Sequence, residues 1–267
     1  MRIVVLSDGL TGSLVSLTIR KQHPCHEFLL INVGEGFGKA PTLPFCESAV
    51  PDCHRWLLEP LIARRWSGFY LSVPEGPTLI AGTVSLLAPE QIHAELFESL
   101  GPGQFASTGK IAEVGATHVV LGDGQRIDAE LLIDTRARKN TESLEAGGTE
   151  IIIRDYLLDQ PHGLDVPVLR DATLTPPHFG RFLQYIPLSE NLLRVSYVRP
   201  ELDQEADGAK LLPIESTGIR LVGENRTYVS PRYGLNSSEP EQPLPAYLDG
   251  MVVSAFRTSA WDAIARL

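Results

Sequence analysis

Residues Ser7-Asp8-Gly9-Leu10-Thr11-Gly12-Ser13 lie between an apolar run, Ile3–Leu6, and a helix-like stretch, Leu10–Arg20. A glycine between a strand and a helix lets the backbone come close to an anion, and the exposed amides of a helix start attract negative charge. This turn therefore has the outline of a phosphate cradle, although it is not a full Gly-x-Gly-x-x-Gly. Gly9 keeps the central position, where the backbone nears a pyrophosphate, while Ser7 is restricted at the tight turn and Ser13 is small enough to allow helix–strand packing. Asp8 works against the cradle. At a helix start it stabilises the empty protein by about 0.3–1 kcal/mol, and two like charges about 4 Å apart repel by about 4 kcal/mol near a surface. A second apolar run, Phe28–Val33, carries Asn32 near its end. Units of this kind usually place an acid there for the ribose; asparagine accepts a hydrogen bond without the charge.

Further along, ELLIDTR (130–136) delivers Asp134 at a strand end with Arg136 two residues on. A salt bridge at that strand end is the competing role. His162 sits between Pro161 and Gly163, on a turn, and fits either a proton shuttle or a hydrogen-bonded structural histidine. Asp171 in Asp-Ala-Thr is a candidate acid whose pKa an apolar pocket would raise; a turn or capping role is the alternative. There is no nucleophile elbow and no His-Glu-x-x-His motif. Cys25, Cys46 and Cys53 lack metal-ligand spacing and read as free thiols of a reducing compartment.

The elements that must position these residues begin with a βαβ unit, for which a right-handed crossover is the default. An amphipathic stretch follows at CHRWLLEPLIARRW. Tyr70–Val73 and Thr78–Ser85 read as a hairpin, and residues 89–101 as a helix opened by proline and closed by glycine. Residues 109–138 read as a meander with an Asp-Gly turn. From Thr149, four strand-like segments separated by proline or glycine predict an antiparallel sheet. Residues 220–247 read as mostly loop, and FRTSAWDAIARL as a last short helix. The expected fold class is α/β, with residues 1–148 as a Rossmann-type core completed by 205–267, and 149–204 as an antiparallel sheet forming the substrate region.

The 267 residues are 43% hydrophobic and 21% charged, with net charge -10. That composition builds a real core and disfavours nucleic acid and anionic lipid. No apolar run reaches the roughly 18–20 residues needed to span a bilayer. With no basic leader, the expected location is cytoplasmic, with peripheral contact at the inner face of the membrane as a further expectation.

Three stretches, HRWLLEPLIARRW, QPHGLDVPVLRDAT and GRFLQYIPLSENLLRVSYV, together with the N-terminal unit and ELLIDTR, resemble the lycopene cyclase family of the bacterial β-cyclase type. The resemblance runs across roughly residues 1–200. It implies a flavoprotein-like FAD/NAD(P)-binding fold and non-redox, flavin-assisted closure of the linear ends of a carotenoid into rings. It also implies that Ser7, Gly9, Gly12, Ser13, Asn32, Asp134 and Arg136 line the cofactor site. FAD is then weakened or absent, and NAD(P)H serves as reductant only where flavin binds. The family's Gly-x-Gly-x-x-x-Gly falls on Ser7, Gly9 and Ser13, and its Asp-x-Arg-Gly falls on Asp134 and Arg136, with Ala137 for the glycine.

The family's acidic pair falls on Val195 and Ser196, neither of which can protonate an alkene; a carboxylic acid with a tuned pKa is what that chemistry needs. Asp171, which matches a family aspartate, is left as the catalytic candidate. Trp56, His162 and Tyr185 are the implied substrate contacts, and cation–π attraction is the tryptophan's possible contribution, against a plain core or membrane-contact role. The implied partner is an apolar polyene, or a protein that covers the pocket: of the family's glycine-rich C-terminal element only TYVSPRYGLN (227–236) is a poor echo. The alternative reading is a non-catalytic or altered-function member that binds an isoprenoid or a protein partner. An ordinary flavin hydroxylase is a weaker third.

Overall fold

A computed structural model of the chain describes residues 1–33, 44–73, 76–136, 149–173, 181–200, 218–229, 256, 259–265 and 267. Ile3 to Leu6 are fully buried on β1 (Arg2–Ser7), as a central parallel strand requires. The chain then turns into α1 (Leu10–Gln22) and returns as β2 (Glu27–Val33). Both strands pair in parallel, and β6 (Phe105–Thr108) and β10 (Leu131–Asp134) complete a four-stranded sheet in the order β10-β1-β2-β6. β10 leaves the expected meander because its apolar side chains match β1 in register, Ile3 beside Leu131 through Leu6 beside Asp134. The meander proper is a separate three-stranded sheet of β7 (Ile111–Val114), β8 (His118–Leu121) and β9 (Arg126–Asp128).

The second large sheet has eight strands. β3 (Phe45–Cys46), β4 (Ile62–Val73) and β5 (Gly76–Leu87) come from the first third of the chain. β11 (Thr149–Leu158), β12 (Val168–Thr173), β13 (Arg181–Pro187), β14 (Leu192–Pro200) and β15 (Ile219–Val229) supply the rest. The order is β15-β11-β14-β13-β12-β4-β5-β3. All described pairings are antiparallel except β12 with β4, which is parallel. Residue 149 is thus a boundary in sequence but not in the sheet, which also draws on residues 45–87 and 219–229.

The amphipathic stretch resolves into two elements, and one later segment differs from the sequence expectation. α2 (Asp52–Leu58) passes into a short 3₁₀ turn at Glu59–Leu61, whose Pro60 cannot continue the helix ladder, and the chain enters β4. Residues 219–229 are a strand rather than a loop, because β11 offers them a full antiparallel edge.

Two cores meet at the join. Phe45 and Val50 pack with β1, α1 and α3 (Pro89–Ser99), together with Phe256 and α4 (Ala260–Ile264). Cys46 and Ala49, in the same segment, pack instead on one face of the large sheet, with Phe69, Leu71, Ile153, Leu169, Ile186 and Val198. The split follows strand alternation: Phe45 and Leu87 enter the first core from one face of the sheet, and Cys46, Val84 and Leu86 lie on the opposite face.

Candidate functional site

Parallel register carries Ser7 beside Asn32 and Leu6 beside Asp134, so Ser7, Asn32 and Asp134 share the C-terminal edge of the four-stranded sheet. Open α/β sheets bind ligands at that edge. At the turn, Gly9 has an extended backbone (φ 178°) that any residue adopts, so its value lies in space. A Cβ built there meets nothing within 4 Å, which leaves room for a phosphate against the backbone. Gly12 is the opposite case. A Cβ there would lie 2.2 Å from Ser7 Oγ and 2.6 Å from Thr135 Oγ1.

Both serines that stand where glycines are expected bond to Gly9. Ser7 Oγ donates to the Gly9 carbonyl (3.2 Å) and accepts from the Gly9 N–H (3.3 Å). Ser13 Oγ donates to the same carbonyl (3.1 Å). Thr135 closes the other side, with Oγ1 donating 2.8 Å to the Leu6 carbonyl. The turn keeps the shape of a cradle, but the central amide is engaged by Ser7.

Arg136 returns its side chain to Asp134: Nε and Nη2 each donate 2.8 Å to one carboxylate oxygen, and the Arg136 backbone N–H donates 3.2 Å to Oδ1. The hydrogen bond from Asp134, above all, holds the guanidinium above its usual range; burial opposes this, and the Asp134 and Asp8 charges add to the rise. Asp8 is exposed, and its field falls on Arg136. Asn32 is buried at 4% exposure. The space over Gly9, the helix start and the nearby guanidinium fit a nucleotide's phosphates. The occupied Gly9 amide and Asp8 weaken that fit without closing it.

On the large sheet, adjacent residues face opposite ways. Val195 is paired with Tyr185 and buried among Tyr156, Tyr185 and Leu193. Ser196 is paired with Gln184 and Ile153, on the opposite face. His162 and Tyr185 line a cavity of about 350 Å³ on Val195's side, with Leu164, Val168, Arg170 and Leu193. His162 Nε2 donates to the Ser189 carbonyl and Nδ1 accepts from the Leu164 N–H (3.0 Å), which fixes one tautomer and ties the turn to the start of β14. Trp56 stands 40% exposed on α2 and does not line that cavity, whereas Trp66 is packed on the other sheet face. The backbone of Asp171 lies on β12; its side chain lies outside the described residues, as do residues 230–236 of TYVSPRYGLN.

The sequence reading missed a carboxylate. Asp155 on β11 faces Arg194 across the ladder and accepts two hydrogen bonds, 2.7 Å from Nε and 2.9 Å from Nη2. Arg194 shares a face with Ser196, two residues on. The two partners are 39 residues apart in sequence, so only the register brings them together. Gln184 was also missed; the alternation along β13, with Ile186 on the same face, was the available signal. No group of three metal-binding side chains occurs among the described residues, and no described helix is long and apolar enough to cross a membrane.

A family model described as "Lycopene cyclase protein" matches residues 3–202. The chain is 29% identical over 209 residues to a lycopene beta-cyclase of Pseudescherichia vulneris, covering 76% of this chain and 54% of the relative. To a lycopene beta-cyclase of Pantoea ananas it is 28% identical over 194 residues, covering 72% of this chain and 50% of the relative. The chain thus spans about half the length of the curated relatives it matches.

Among solved structures it is similar to a geranylgeranyl bacteriochlorophyll reductase-like protein of Thermoplasma acidophilum, with TM-score 0.59 and 11% identity, covering 86% of this chain and 66% of that one. It is also similar to a p-nitrophenol 4-monooxygenase of Pseudomonas putida, with TM-score 0.57 and 17% identity, covering 85% and 67%. A flavin-dependent halogenase of Xanthomonas campestris gives TM-score 0.58 and 14% identity, covering 86% and 62%. These likenesses show the flavoprotein-like α/β fold.

Proposed function

The chain belongs to the lycopene cyclase family, and from that premise we propose that it takes up a carotenoid polyene against its large sheet, for flavin-assisted, non-redox cyclisation of a linear end. The observation that carries this reading is that the family match over residues 3–202 spans both the nucleotide-type unit and the sheet that faces it. Gly9, Gly12, Ser7, Ser13, Asn32, Asp134 and Arg136 would hold FAD at the sheet edge, with NAD(P)H as its reductant. A reduced flavin supplies electron density beside a cationic polyene. Asp171 is the carboxyl group assigned to the proton. His162 and Tyr185, the expected substrate contacts, line the cavity on Val195's side of the sheet. Peripheral membrane contact would deliver so apolar a substrate, and a covering protein partner would shield it.

Expression in lycopene-accumulating cells tests the reading, with a shift from red to orange-yellow expected. Purified protein is expected to show a flavin absorption band, or to gain one on adding FAD. Unchanged red pigment with a colourless protein would sink it.

A second reading is supported by one specific observation: Val195 and Ser196, at the positions of the family's acids, are both buried and neither carries a carboxyl group. On that reading the chain binds the polyene without converting it. Extraction of intact lycopene with the purified protein, with no cyclised product, distinguishes it.

A further inference from the structure

Five apolar or aromatic residues stand side by side across the large sheet, one from each of five strands. Val195 on β14 pairs with Tyr185 on β13, Tyr185 with Val168 on β12, Val168 with Tyr70 on β4, and Tyr70 with Leu79 on β5. Directly paired residues share a face, so all five stand on the same side. Exposure rises along the row: Val195 2%, Tyr185 5%, Val168 half-buried, Tyr70 40% and Leu79 52%. Tyr185 and Val168 line the cavity of about 350 Å³, and so does Ser72, two residues from Tyr70 on the same face. The two exposed side chains therefore continue the cavity floor toward the edge of the sheet. Beyond Val195 the row meets Arg154 on β11, whose ion pair with Glu224 (3.0 Å) makes that end polar. At the other end β3 pairs only with Val84 and Ser85 among the described residues, so no described strand lies beside Leu79 on the outer edge of β5. Single exposed apolar side chains need no explanation, but a pair continuous with a cavity marks a contact surface.

We infer that Tyr70 and Leu79 form an apolar track along which the remainder of the polyene leaves the cavity and passes over the β5 edge, while one linear end sits against Tyr185 and Val168. The inference rests on the polyene reading above and assigns where the length of the substrate lies. The cavity is near the lower end of the roughly 300–1,000 Å³ that ligand pockets span, so it takes one end of a long chain rather than the whole. From Tyr185 to Leu79 the row crosses three strand spacings, about 14–15 Å. None of its five side chains is charged. A hydrocarbon is the ligand that suits it: covering Tyr70 and Leu79 removes apolar surface from water and strands no ion. A bilayer would also cover these two side chains, but it would not account for their alignment with the cavity floor.

The test compares two probes on the purified full chain in detergent. One is lycopene, read by the shift of its absorption. The other is a short acyclic isoprenoid hydrocarbon matching one end of lycopene, read by calorimetry. Leu79→Asp is expected to bind lycopene about tenfold more weakly than the wild type, and the short probe within about twofold of it. Leu79→Met keeps the apolar surface and is expected to bind both within about twofold. Leu79 is half exposed, so both variants are expected to fold, checked by melting. Tyr70→Ser shortens the next side chain in the row and is expected to give the same split between probes, which serves if Leu79→Asp melts early.

Lycopene affinity unchanged in both Leu79→Asp and Tyr70→Ser would overturn this inference while leaving the polyene reading standing. Equal weakening of both probes would place the effect on the shape of the cavity, and also overturns it. If Leu79→Asp instead loses binding to phosphatidylcholine vesicles while lycopene affinity in detergent is unchanged, the pair is a membrane contact and the track is overturned. A folded wild type that binds neither probe would sink the polyene reading itself, and this inference with it.

Discussion

The Ser7 hydroxyl occupies the space that any side chain at position 12 would need: a Cβ on Gly12 would lie 2.2 Å from Ser7 Oγ. Ser7 is itself fully buried, and Thr135 closes the same space from the other side. Gly12→Ala therefore has no soft direction in which to relax, and overpacking of this kind costs about 1–3 kcal/mol. We expect a loss in the upper part of that range by chemical denaturation. Ser7→Gly in the same chain should recover part of it, since Thr135 Oγ1 stays in the way. Strictly additive effects in the double-mutant cycle would contradict the contact.

The same turn makes a prediction about flavin. Asp8 is exposed and its charge falls on Arg136, so its repulsion of a phosphate is partly balanced and partly screened. The effect is then well below the roughly 4 kcal/mol of an unscreened surface pair. Asp8→Asn should tighten FAD by about three- to tenfold at low ionic strength, with the gain shrinking toward 1 M salt. Flavin fluorescence titration at two salt concentrations checks both parts; a salt-independent gain would mean that Asp8 acts through packing rather than charge.

The N-terminal unit was legible in the sequence because its signals are local. Ile3–Leu6 and Phe28–Val33 are short β-branched runs flanking an apolar helix, and they fold as β1, α1 and β2. The four strands after Thr149 were legible for the same reason. What could not be read was register. That residues 62–87 join the far sheet through a parallel pairing of β4 with β12 is a long-range choice with no local signature. The edge strand Ile219–Val229 carries Gly223, Glu224, Asn225 and Arg226, so its composition reads as loop until β11 is beside it. The site shows the same division. Gly9 and Asp134 were visible by position, whereas Asp155–Arg194 and Gln184–Ser196 exist only across the ladder.

The Asp155–Arg194 pair should be structural in weight. Both side chains are mostly buried, at 24% and 16% exposure, and the hydrogen bonds are two-point. Asp155→Asn leaves a guanidinium with a weaker partner. Fully buried pairs lose about 3–5 kcal/mol on such a change, and the residual exposure lowers that here. A loss of about 1–3 kcal/mol is expected by urea denaturation. Asp155→Leu with Arg194→Met should lose less than Asp155→Asn alone, because it removes both charges together.

His54 gives a pH dependence. Its ring stacks 4.8 Å from Phe256 and lies 4.3 Å from Trp261, tying α2 to the C-terminal helix. Burial holds its pKa below the ordinary 6.5. The unfolded chain therefore takes up this proton first as pH falls, so the folded state binds fewer protons in that window. Stability is unaffected by this group well above pH 6.5, then falls as pH drops from 6.5 toward the lower folded value. The melting temperature should decline across that window in the wild type. His54→Phe keeps a ring in place and should flatten this part of the curve; an unchanged slope would assign the decline to other groups.

Val195 and Ser196 allow the reacting face of the sheet to be chosen by experiment. They are neighbours in sequence, so an acid restored at one faces the opposite way from an acid restored at the other. Val195→Glu would place a carboxyl among Tyr156, Tyr185 and Leu193, at a position 2% exposed. Burying a polar group there without partners costs about 1–3 kcal/mol, and the apolar surroundings would keep the acid protonated. Ser196→Asp would stand beside the Gln184 amide, which can donate to it, so its cost in stability should be smaller. If the polyene lies on Ser196's side of the sheet, Ser196→Asp should raise conversion of lycopene in pigment-accumulating cells, while Val195→Glu should not and should melt lower. The reverse outcome, conversion by Val195→Glu alone, would move the reacting end through the sheet to the cavity lined by His162 and Tyr185.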